Sequence, residues 1–414
     1  MRNKMRKLIL FLALTVSVTS IQSCKKKGCT DPVALNYSDE AEEDDGSCTY
    51  PPEIIISENV TSPRSFANET VKICGNIEVS SVLTFGEGTN VIMCAESQLT
   101  IKPSGTLVST GTVAKPVYIR GESASKGYWR TIIFESANAN NQLIYTNISD
   151  GGGYWYYQFA GVYMEANSAL KMQNSRISNM KDYGMYVNEG ATLPNFSTNE
   201  FTNNDGYGLR ITTSLLRFLD AASTYNIGNT QPYILAKGNT VGGNVNWIDL
   251  NQAVLLTDEV NVTGNLTIAS GASYTMEAES GIEVNNTGSL NCTGTATERI
   301  SFVGKSSTAG FWNGIRYSSN NSSNKLHYCT VRDGGFYWYY EYSAIYVTNA
   351  SRVDITQTEV SNSNNYGLYR DGSGSVYNNS SLVNNYNDLT TNNNFFGNGA
   401  GGSVNCTTCA SNIP

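Results

Sequence analysis

The chain contains an internal sequence repeat of two copies. The offset that places Gly127-Tyr128-Trp129 on Gly310-Phe311-Trp312 also places Asp150-Gly151-Gly152 on Asp333-Gly334-Gly335, with no gap between the two motifs. This offset is here called the repeat shift. Internal repetition over such a length is typical of folds in which similar units stack on one another. The repeat therefore predicts a stacked architecture that has been duplicated once.

A shorter period lies within each half. Apolar residues recur every seven or eight positions, at Val162, Leu170, Ile177, Met185, Leu193, Phe201 and Leu209. A short strand and a tight turn together take about eight residues, so three such steps complete one turn of a coil. We therefore predict an all-β, three-sided solenoid of parallel strands with about fourteen coils between residues 68 and 400.

Part of the second half resembles a known family. The run Gly294-Thr295-Ala296, the strand-like Ile300-Ser301-Phe302-Val303-Gly304 and the segment Gly310-Phe311-Trp312-Asn313-Gly314-Ile315 are similar to the core-strand pattern of right-handed parallel β-helix repeat proteins of the pectate-lyase-like superfamily, as found in Bacteroidetes lipoproteins. The resemblance implies a right-handed parallel β-helix. It does not imply one activity, because that superfamily contains lyases, hydrolases, esterases, adhesins and proteins without known activity.

The N-terminus predicts export and lipidation. Four basic residues precede an apolar run at residues 8–18, and Ile21-Gln22-Ser23-Cys24 resembles a bacterial lipobox. We expect residues 1–23 to be a lipoprotein signal peptide and Cys24 to carry the lipid. This predicts an outer membrane lipoprotein on the periplasmic or the cell-surface face, held to the membrane through its lipid.

Four further segments follow the signal peptide. Residues 24–50 combine the lipidated cysteine with an acidic module that resembles a short cysteine-bounded repeat of secreted marine Bacteroidetes proteins. A Cys29–Cys48 disulfide is expected to staple it, because it is too short to build a core. Its acids, Asp31, Asp39, Asp44 and Asp45, are possible calcium ligands. Residues 51–67 are predicted to form a linker and cap, 68–250 the first half of the helix, and 251–414 the second half with its C-terminal cap.

The remaining cysteines carry structural predictions. The separation of Cys74 and Cys94 is close to the length of one coil, so they are expected to lie one above the other and form a disulfide. Cys406 and Cys409 have the spacing of a redox or zinc pair, but a single pair favours a disulfide that closes the C-terminal cap. The pairing of Cys292 and Cys329 stays open.

The sequence argues against enzymes that depend on a histidine base. His327 is the sole histidine of the chain, and we interpret it as a wall residue rather than a catalytic base. A polysaccharide lyase acting on a uronate-containing glycan remains the alternative, because such an enzyme needs only a base and a group that neutralises the uronate carboxylate. Its candidate residues are Asp150, Asp333, Glu96, Glu279 and Arg130.

An aromatic insertion occurs in both halves and is the main functional signal. Tyr154-Trp155-Tyr156-Tyr157 aligns with Tyr337-Trp338-Tyr339-Tyr340, and each insertion lengthens its coil. Consecutive large aromatics cannot all point into a coil whose residues alternate in and out. Such rings suit sugar faces and protein interfaces, so we predict ligand contacts at both insertions and at two neighbouring tryptophans. The predicted contact residues are Trp129, Tyr154, Trp155, Tyr156, Trp312, Tyr337, Trp338 and Tyr339.

The overall charge limits the classes of molecule that the protein is expected to bind. The chain carries 27 basic and 35 acidic residues, a formal net charge of −8, and loss of the basic leader would make it more acidic. Phosphate would repel such a surface, so we expect no nucleic-acid partner. We expect a non-catalytic β-helix that binds a polysaccharide or a cell-surface protein, with two aromatic sites that could hold one long glycan at two points. No cofactor is predicted, and calcium remains possible.

Overall fold

A computed structural model describes residues 25–32, 34–50, 54–399 and 411–413. The chain divides into two compact units between residues 52 and 53. Within the described residues, no helix is both long and apolar enough to cross a membrane. The predicted leader, the lipidation residue Cys24 and the pair Cys406 and Cys409 lie outside the described residues and stay predictions.

The smaller unit is a stapled segment. Strands Lys27–Gly28 and Glu43–Asp44 pair in parallel, and the predicted Cys29–Cys48 disulfide is present with the two Cα atoms 4.7 Å apart. Three of its acids accept hydrogen bonds within the segment: Asp31 from Tyr50, Asp44 from Gly46 and Asp45 from Ser47. Asp44 and Asp45 therefore serve local turns, whereas Asp31 joins residues 19 positions apart.

The larger unit is a coil of short parallel strands with three walls, which confirms the predicted fold. Strands such as Thr70–Ile73 and Asn265–Ile268 alternate buried and more exposed residues, because successive side chains of a strand point to opposite faces. One sheet of thirteen strands, here called the long sheet, runs through both halves. A bridge between Val60 and Val79 adds a level at its N-terminal end, close to the predicted number of coils. The strands of the long sheet are Asn76–Val79, Gln98–Ile101, Thr131–Phe134, Val162–Met164, Met185–Val187, Leu209–Thr212, Ile234–Lys237, Val254–Thr257, Ser273–Met276, Ile300–Gly304, Cys329–Arg332, Glu359–Ser361 and Asn394–Phe396.

Four shorter sheets form the other two walls, two in each half. Sheet A comprises Ile54–Ile56, Thr70–Ile73, Asn90–Met93, Val117–Gly121, Thr146–Ser149, Arg176–Ser178 and Glu200–Thr202. Sheet B comprises Arg64–Phe66, Val82–Phe85, Thr106–Thr110, Gln142–Ile144 and Lys171–Gln173. Sheet C comprises Thr240–Val241, Glu259–Val262, Gly281–Asn286, Gly314–Ser319, Ile345–Val347 and Leu368–Arg370. Sheet D comprises Asn244–Trp247, Asn265–Ile268, Ser289–Thr293, Lys325–His327, Arg352–Thr356, Ser375–Asn378 and Ser381–Leu382.

Helical segments are short and lie between strands. In the described part of the chain, three 3₁₀ turns occupy Trp155–Tyr157, Thr213–Phe218 and Trp338–Tyr340, and one α-helical turn occupies Tyr386–Thr390. Strand pairing among the described residues is parallel except where Ser381–Leu382 turns back on Ser375–Asn378. That reversal marks the end of the regular coil.

The core is a set of columns that run along the coil axis. Val162 pairs with Met185, and Met185 pairs with Leu209, so these three residues stack on successive coils. All seven residues of the short period are fully buried. Stacking parallel strands in register places like side chains above one another, so the apolar core is continuous along the described part of the helix.

Cysteines in the wall and the core support this stacking. Ile73 pairs with Met93, which places Cys74 beside Cys94, and the predicted disulfide joins them. Cys292 and Cys329 are instead free thiols in the core. Burial raises the pKa of the Cys292 thiol well above its usual range, and a hydrogen bond with Cys329 raises it further. Both therefore behave as small core residues.

The two halves are rotated with respect to each other by one wall. In the first half each coil passes through sheet A, the long sheet and sheet B; in the second it passes through the long sheet, sheet C and sheet D. The repeat shift places Val117–Gly121 of sheet A on Ile300–Gly304 of the long sheet, seven turns and one wall further along. The repeat shift is therefore not a whole number of turns.

Candidate functional site: two aromatic platforms

Each aromatic insertion folds as a single 3₁₀ turn at a corner of the coil. In the first, Gln158 N donates to Trp155 O at 3.0 Å and Phe159 N donates to Tyr154 O at 3.1 Å. The second has the same bonds, from Glu341 N to Trp338 O at 3.1 Å and from Tyr342 N to Tyr337 O at 3.3 Å. Residues 154–159 and 337–342, with the wall tyrosines beneath them, are here called the first and second platforms.

The Asp-Gly-Gly step before each insertion lets the turn close. Gly152 has φ +88°, and a Cβ there would lie 2.3 Å from Phe159 O; Gly335 has φ +95° and would meet Tyr342 O at 2.5 Å. A side chain at either position would collide with backbone in a conformation that L-residues rarely adopt. These glycines therefore hold the two ends of each platform turn together.

Trp129 and Trp312 lie under the platforms, not on them, and their prediction as ligand contacts is wrong. Both are fully buried. Trp129 Nε1 donates to Ser149 O at 2.7 Å, and Trp312 Nε1 donates to Arg332 O at 2.7 Å. A Cβ on Gly151 would lie 2.6 Å from Trp129 Cζ2, so the missing side chain makes room for the indole. Each tryptophan therefore anchors the strand end from which a platform rises.

Half of each platform packs down on the wall. In the first, the Tyr157 ring lies 5.0 Å from Tyr163, which stacks on Tyr186 at 5.2 Å, and the Arg210 guanidinium lies 4.2 Å above Tyr186. The strand register arranges these side chains as a ladder, because Tyr163 pairs with Tyr186 and Tyr186 pairs with Arg210 on successive coils.

The second platform repeats the ladder on sheet C. Tyr340 stacks on Tyr346 at 5.7 Å, and Tyr346 stacks on Tyr369 at 5.6 Å. Burial raises the pKa of Tyr163, Tyr340 and Tyr346, so these hydroxyls stay protonated and able to donate at neutral pH. The wall tyrosines were missed from the sequence; their signal was the spacing from Tyr163 to Tyr186, close to one coil, which returns unchanged from Tyr346 to Tyr369.

The other half of each platform faces solvent. Trp155 and Trp338 are 66% and 64% exposed, and Tyr156 and Tyr339 are 59% and 54% exposed. Tyr154 is half-buried, with the Arg130 guanidinium 4.7 Å above its ring, whereas Tyr337 is exposed. Adjacent large aromatics held exposed in one turn form an apolar patch of the kind that occurs at binding surfaces.

A groove runs beside the second platform. It has a volume of about 340 Å³ and is lined by Arg316, Trp338, Tyr339, Glu341, Tyr346, Thr348, Asn349 and Asp371. Aromatic rings thus border a cleft whose remaining surface is polar. This combination is typical of sites that bind a molecule with one apolar face and many hydroxyls.

A charged cluster supports the groove from below. Arg316 Nη1 donates to Glu283 Oε1 at 2.8 Å, and its guanidinium lies 5.2 Å from the Tyr340 ring. The Tyr340 hydroxyl donates to Glu259 Oε2 at 3.4 Å. Burial raises the pKa of Glu259, and the charge and hydrogen bond of Glu283 raise it further. In the first half the position of Arg316 is taken by Ile133, so this cluster belongs to the second platform alone.

The two platforms lie on different walls. The first rests on the long sheet, at its corner with sheet A, and the second rests on sheet C, at its corner with the long sheet. This follows from the rotation of the two halves by one wall. A straight glycan lying along one wall would meet only one platform, so the predicted grip of one chain at two points is not supported.

The lyase candidates are not assembled into one site. Asp150 and Asp333 are buried in turns beneath separate platforms. Arg130 Nε lies 3.3 Å from Glu96 Oε2, an ion pair at the first platform, whereas Glu279 is exposed in the second half. Within the described residues, no group of three or more His, Cys, Asp or Glu side chains is placed to hold a metal ion.

The histidine also has a wall position. His327 belongs to sheet D, and its Nε2 lies 3.5 Å from Asp354 Oδ1. Asp354 accepts a further hydrogen bond from Ser380 N at 3.0 Å. Although burial opposes ionisation of Asp354, hydrogen bonding and charge from His327 lower its pKa overall. Asp354 is buried and His327 is half-buried, so the pair is a contact between neighbouring strands of the sheet D wall.

Comparison with known families agrees with the fold. Residues 71–215 match a family model described as a right-handed β-helix region. With the parallel three-walled coil, this establishes a right-handed parallel β-helix. No curated protein and no solved structure matches the chain.

Proposed function

We propose that this protein is a non-catalytic β-helix that binds a polysaccharide through its two aromatic platforms. The observation that carries the proposal is the exposed pair Trp338 and Tyr339 at the edge of the groove of about 340 Å³. A sugar ring offers a C–H face that stacks on an aromatic ring and hydroxyls that bind polar groups. The groove supplies both kinds of partner side by side.

The rigidity of the platforms also favours binding. The 3₁₀ turn, the glycine closure and the tyrosine ladder hold the exposed rings in place before a ligand arrives. Pre-organised aromatic side chains lose little conformational entropy on binding. Because the platforms face different directions, each is expected to bind its own stretch of glycan.

The test is glycan affinity of the whole exported chain, measured by calorimetry over a panel of neutral, acidic and amino polysaccharides. Trp155→Ala and Trp338→Ala are compared singly and together. Loss of a central tryptophan contact is expected to weaken its site by about 2 kcal/mol, roughly thirtyfold. The matched control is Tyr118→Ala, which removes an exposed aromatic from sheet A, a wall that carries neither tyrosine ladder. Unchanged affinity of the double variant for every glycan that the wild type binds would overturn the proposal.

The cellular address is a separate part of the proposal. A lipobox-like Ile21-Gln22-Ser23-Cys24 supports lipidation at Cys24 and attachment to the outer membrane. Replacing Cys24 by Ser is expected to move the chain from the membrane fraction to the soluble fraction. Retention of the variant in the membrane fraction, without detergent, would contradict the lipid anchor.

A further inference from the structure

The two platforms share a backbone but differ in charge. At the second groove, Glu341 and Asp371 are exposed carboxylates. The repeat shift places Gln158 and Asn188 at these positions in the first half, so the corresponding side chains there are neutral amides of nearly the same shape. The second platform therefore carries two negative charges that the first lacks.

Within the part of the chain that the structure describes, no basic group pairs with these two carboxylates. Among the described residues, neither Glu341 nor Asp371 forms an ion pair. Arg316 also lines the groove, but its guanidinium is bound to Glu283 and lies against the Tyr339 and Tyr340 rings. Arg370 pairs with Val347 on the neighbouring strand of sheet C. Val347 faces inward, and Arg370 does not line the groove.

The first platform has its own acid, but in a different state. Glu165 stands where the second half has Thr348, and it is half-buried. Burial raises the pKa of Glu165, and the nearby Glu135 raises it further. Glu135 itself is paired with Lys102 at 2.7 Å. A second acid, Glu189 beside Asn188, is exposed and accepts a hydrogen bond from Asn239 Nδ2 at 2.9 Å. The first platform therefore carries its acids at other positions and has no carboxylate where the second groove places Glu341 and Asp371.

We propose that the second groove binds a saccharide unit that carries a protonated amine, such as a 2-amino-2-deoxyhexose. The sugar ring would stack on Trp338 and Tyr339 while its ammonium group meets Glu341 and Asp371. A cation gains from aromatic faces and from carboxylates at once, and the hydrogen bonds it makes to carboxylates are charge-assisted. The inference rests on the proposed glycan-binding function and adds the class of sugar.

The experiment compares two ligands with one backbone. Binding of a glucosamine oligomer, with free amines, and of its fully N-acetylated counterpart is measured by calorimetry on the full chain, below the amine pKa and at low salt. The wild type is expected to prefer the amine form by about tenfold. The double variant Glu341→Gln, Asp371→Asn, which copies the first-half residues, is expected to lose that preference and keep its affinity for the acetylated form.

Controls separate this inference from the broader function and from the general acidity of the chain. Trp338→Ala should weaken both oligomers, whereas the Gln and Asn double variant should weaken only one. Glu42→Gln with Glu58→Gln removes the same charge from exposed residues of other parts of the chain and should leave the preference unchanged.

Three results would overturn the assignment. The first is equal affinity of the wild type for both oligomers. The second is a preference that the double variant retains or that the control pair also loses. The third is tight binding of an oligolysine peptide that depends on Glu341 and Asp371 as strongly as binding of the glucosamine oligomer does, which would indicate a cationic peptide as the ligand.

Discussion

Asn179 donates its side-chain amide to Oδ1 of Asp150 at 2.7 Å, across the gap between successive coils. The repeat places Asn362 and Asp333 in the same relationship, also at 2.7 Å. Both aspartates adopt positive φ angles, 70° and 67°, which Asp and Asn tolerate better than most residues. The two aspartates therefore shape the turns below the platforms by accepting hydrogen bonds.

Asp333→Ala is expected to destabilise the helix by about 2 kcal/mol. The change removes one of the two acceptors of the Asn362 amide, which keeps its bond to Ser307 O, and puts alanine in the left-handed region; each effect costs roughly 1 kcal/mol. Asp333→Asn should cost less, because it keeps an acceptor oxygen and tolerates the same backbone angle. Urea unfolding measures both. Asp371→Ala is the control, expected within about 0.5 kcal/mol of wild type because that side chain is exposed.

The five tryptophans are expected to divide into two optical classes. Trp129, Trp247 and Trp312 are at most 1% exposed, whereas Trp155 and Trp338 face solvent. The double variant Trp155→Phe, Trp338→Phe should therefore emit at shorter wavelength than the wild type and be quenched weakly by acrylamide. A red-shifted, readily quenched emission from that variant would contradict the burial of the anchors.

The anchor tryptophans should also differ from the platform tryptophans in stability. Trp312→Ala removes a buried indole and is expected to cost about 3–5 kcal/mol. Trp338→Ala removes an exposed one and should change stability by about 0.5 kcal/mol or less. Chemical denaturation of the two variants, side by side, measures this difference.

Protonation of Glu259, which lies beneath the second platform, makes the stability of the folded protein depend on pH. Because the folded protein raises the pKa of Glu259 above its ordinary value, the folded state holds this proton more tightly than the unfolded state does. Stability contributed by the protonated group is present at low pH and is lost as pH rises through the raised pKa. Glu259→Gln should therefore lose less stability than the wild type as the pH rises above 4.5, the ordinary value of the Glu pKa, and through the raised pKa of Glu259.

This prediction is checked by the difference in the free energy of unfolding between the variant and the wild type, measured as a function of pH. Glu58→Gln is the control, since Glu58 is exposed at the start of the larger unit. The charged and titratable groups that face Glu259 are Glu283, Arg316 and Tyr340, and all three remain in the variant. A steeper pH dependence in Glu259→Gln than in wild type would contradict the raised pKa.

The sequence predicts the three walls of the coil better than it predicts the rotation of one half relative to the other. Buried residues recur regularly between Val162 and Leu209, so the three walls and their number can be derived from the period alone. Coil length, however, is uneven: the coil from Leu99 to Ile132 is more than half as long again as the coil from Val254 to Tyr274. The repeat shift therefore reveals duplication without showing how many turns it spans. The rotation of the halves, and hence the directions of the platforms, depends on strand pairing.

The sequence predicts only part of the candidate site, again because it does not show which strands pair. Four adjacent aromatics cannot all be buried, so exposure of Trp155 and Trp338 follows from the local sequence. Whether a lone tryptophan such as Trp129 is buried depends on a partner on the next coil, here Gly151, and local sequence does not show that pairing. The Arg316–Glu283 ion pair likewise joins residues of neighbouring strands that are far apart in the sequence.

The disulfide between Cys74 and Cys94 is expected to stabilise the N-terminal coils. It joins cysteines at a sequence separation of 20, for which the loss of unfolded-state entropy corresponds to about 3 kcal/mol. The double variant Cys74→Ala, Cys94→Ala should therefore unfold at a lower temperature and exchange its amide protons faster at Thr70–Ile73 and Asn90–Met93, the strands that carry the bond. A reductant should lower the melting temperature of the larger unit more in wild type than in the variant, because the variant lacks this bond but keeps the disulfide predicted at Cys406 and Cys409. An equal effect of reductant on both proteins would show that this bond does not support the coil.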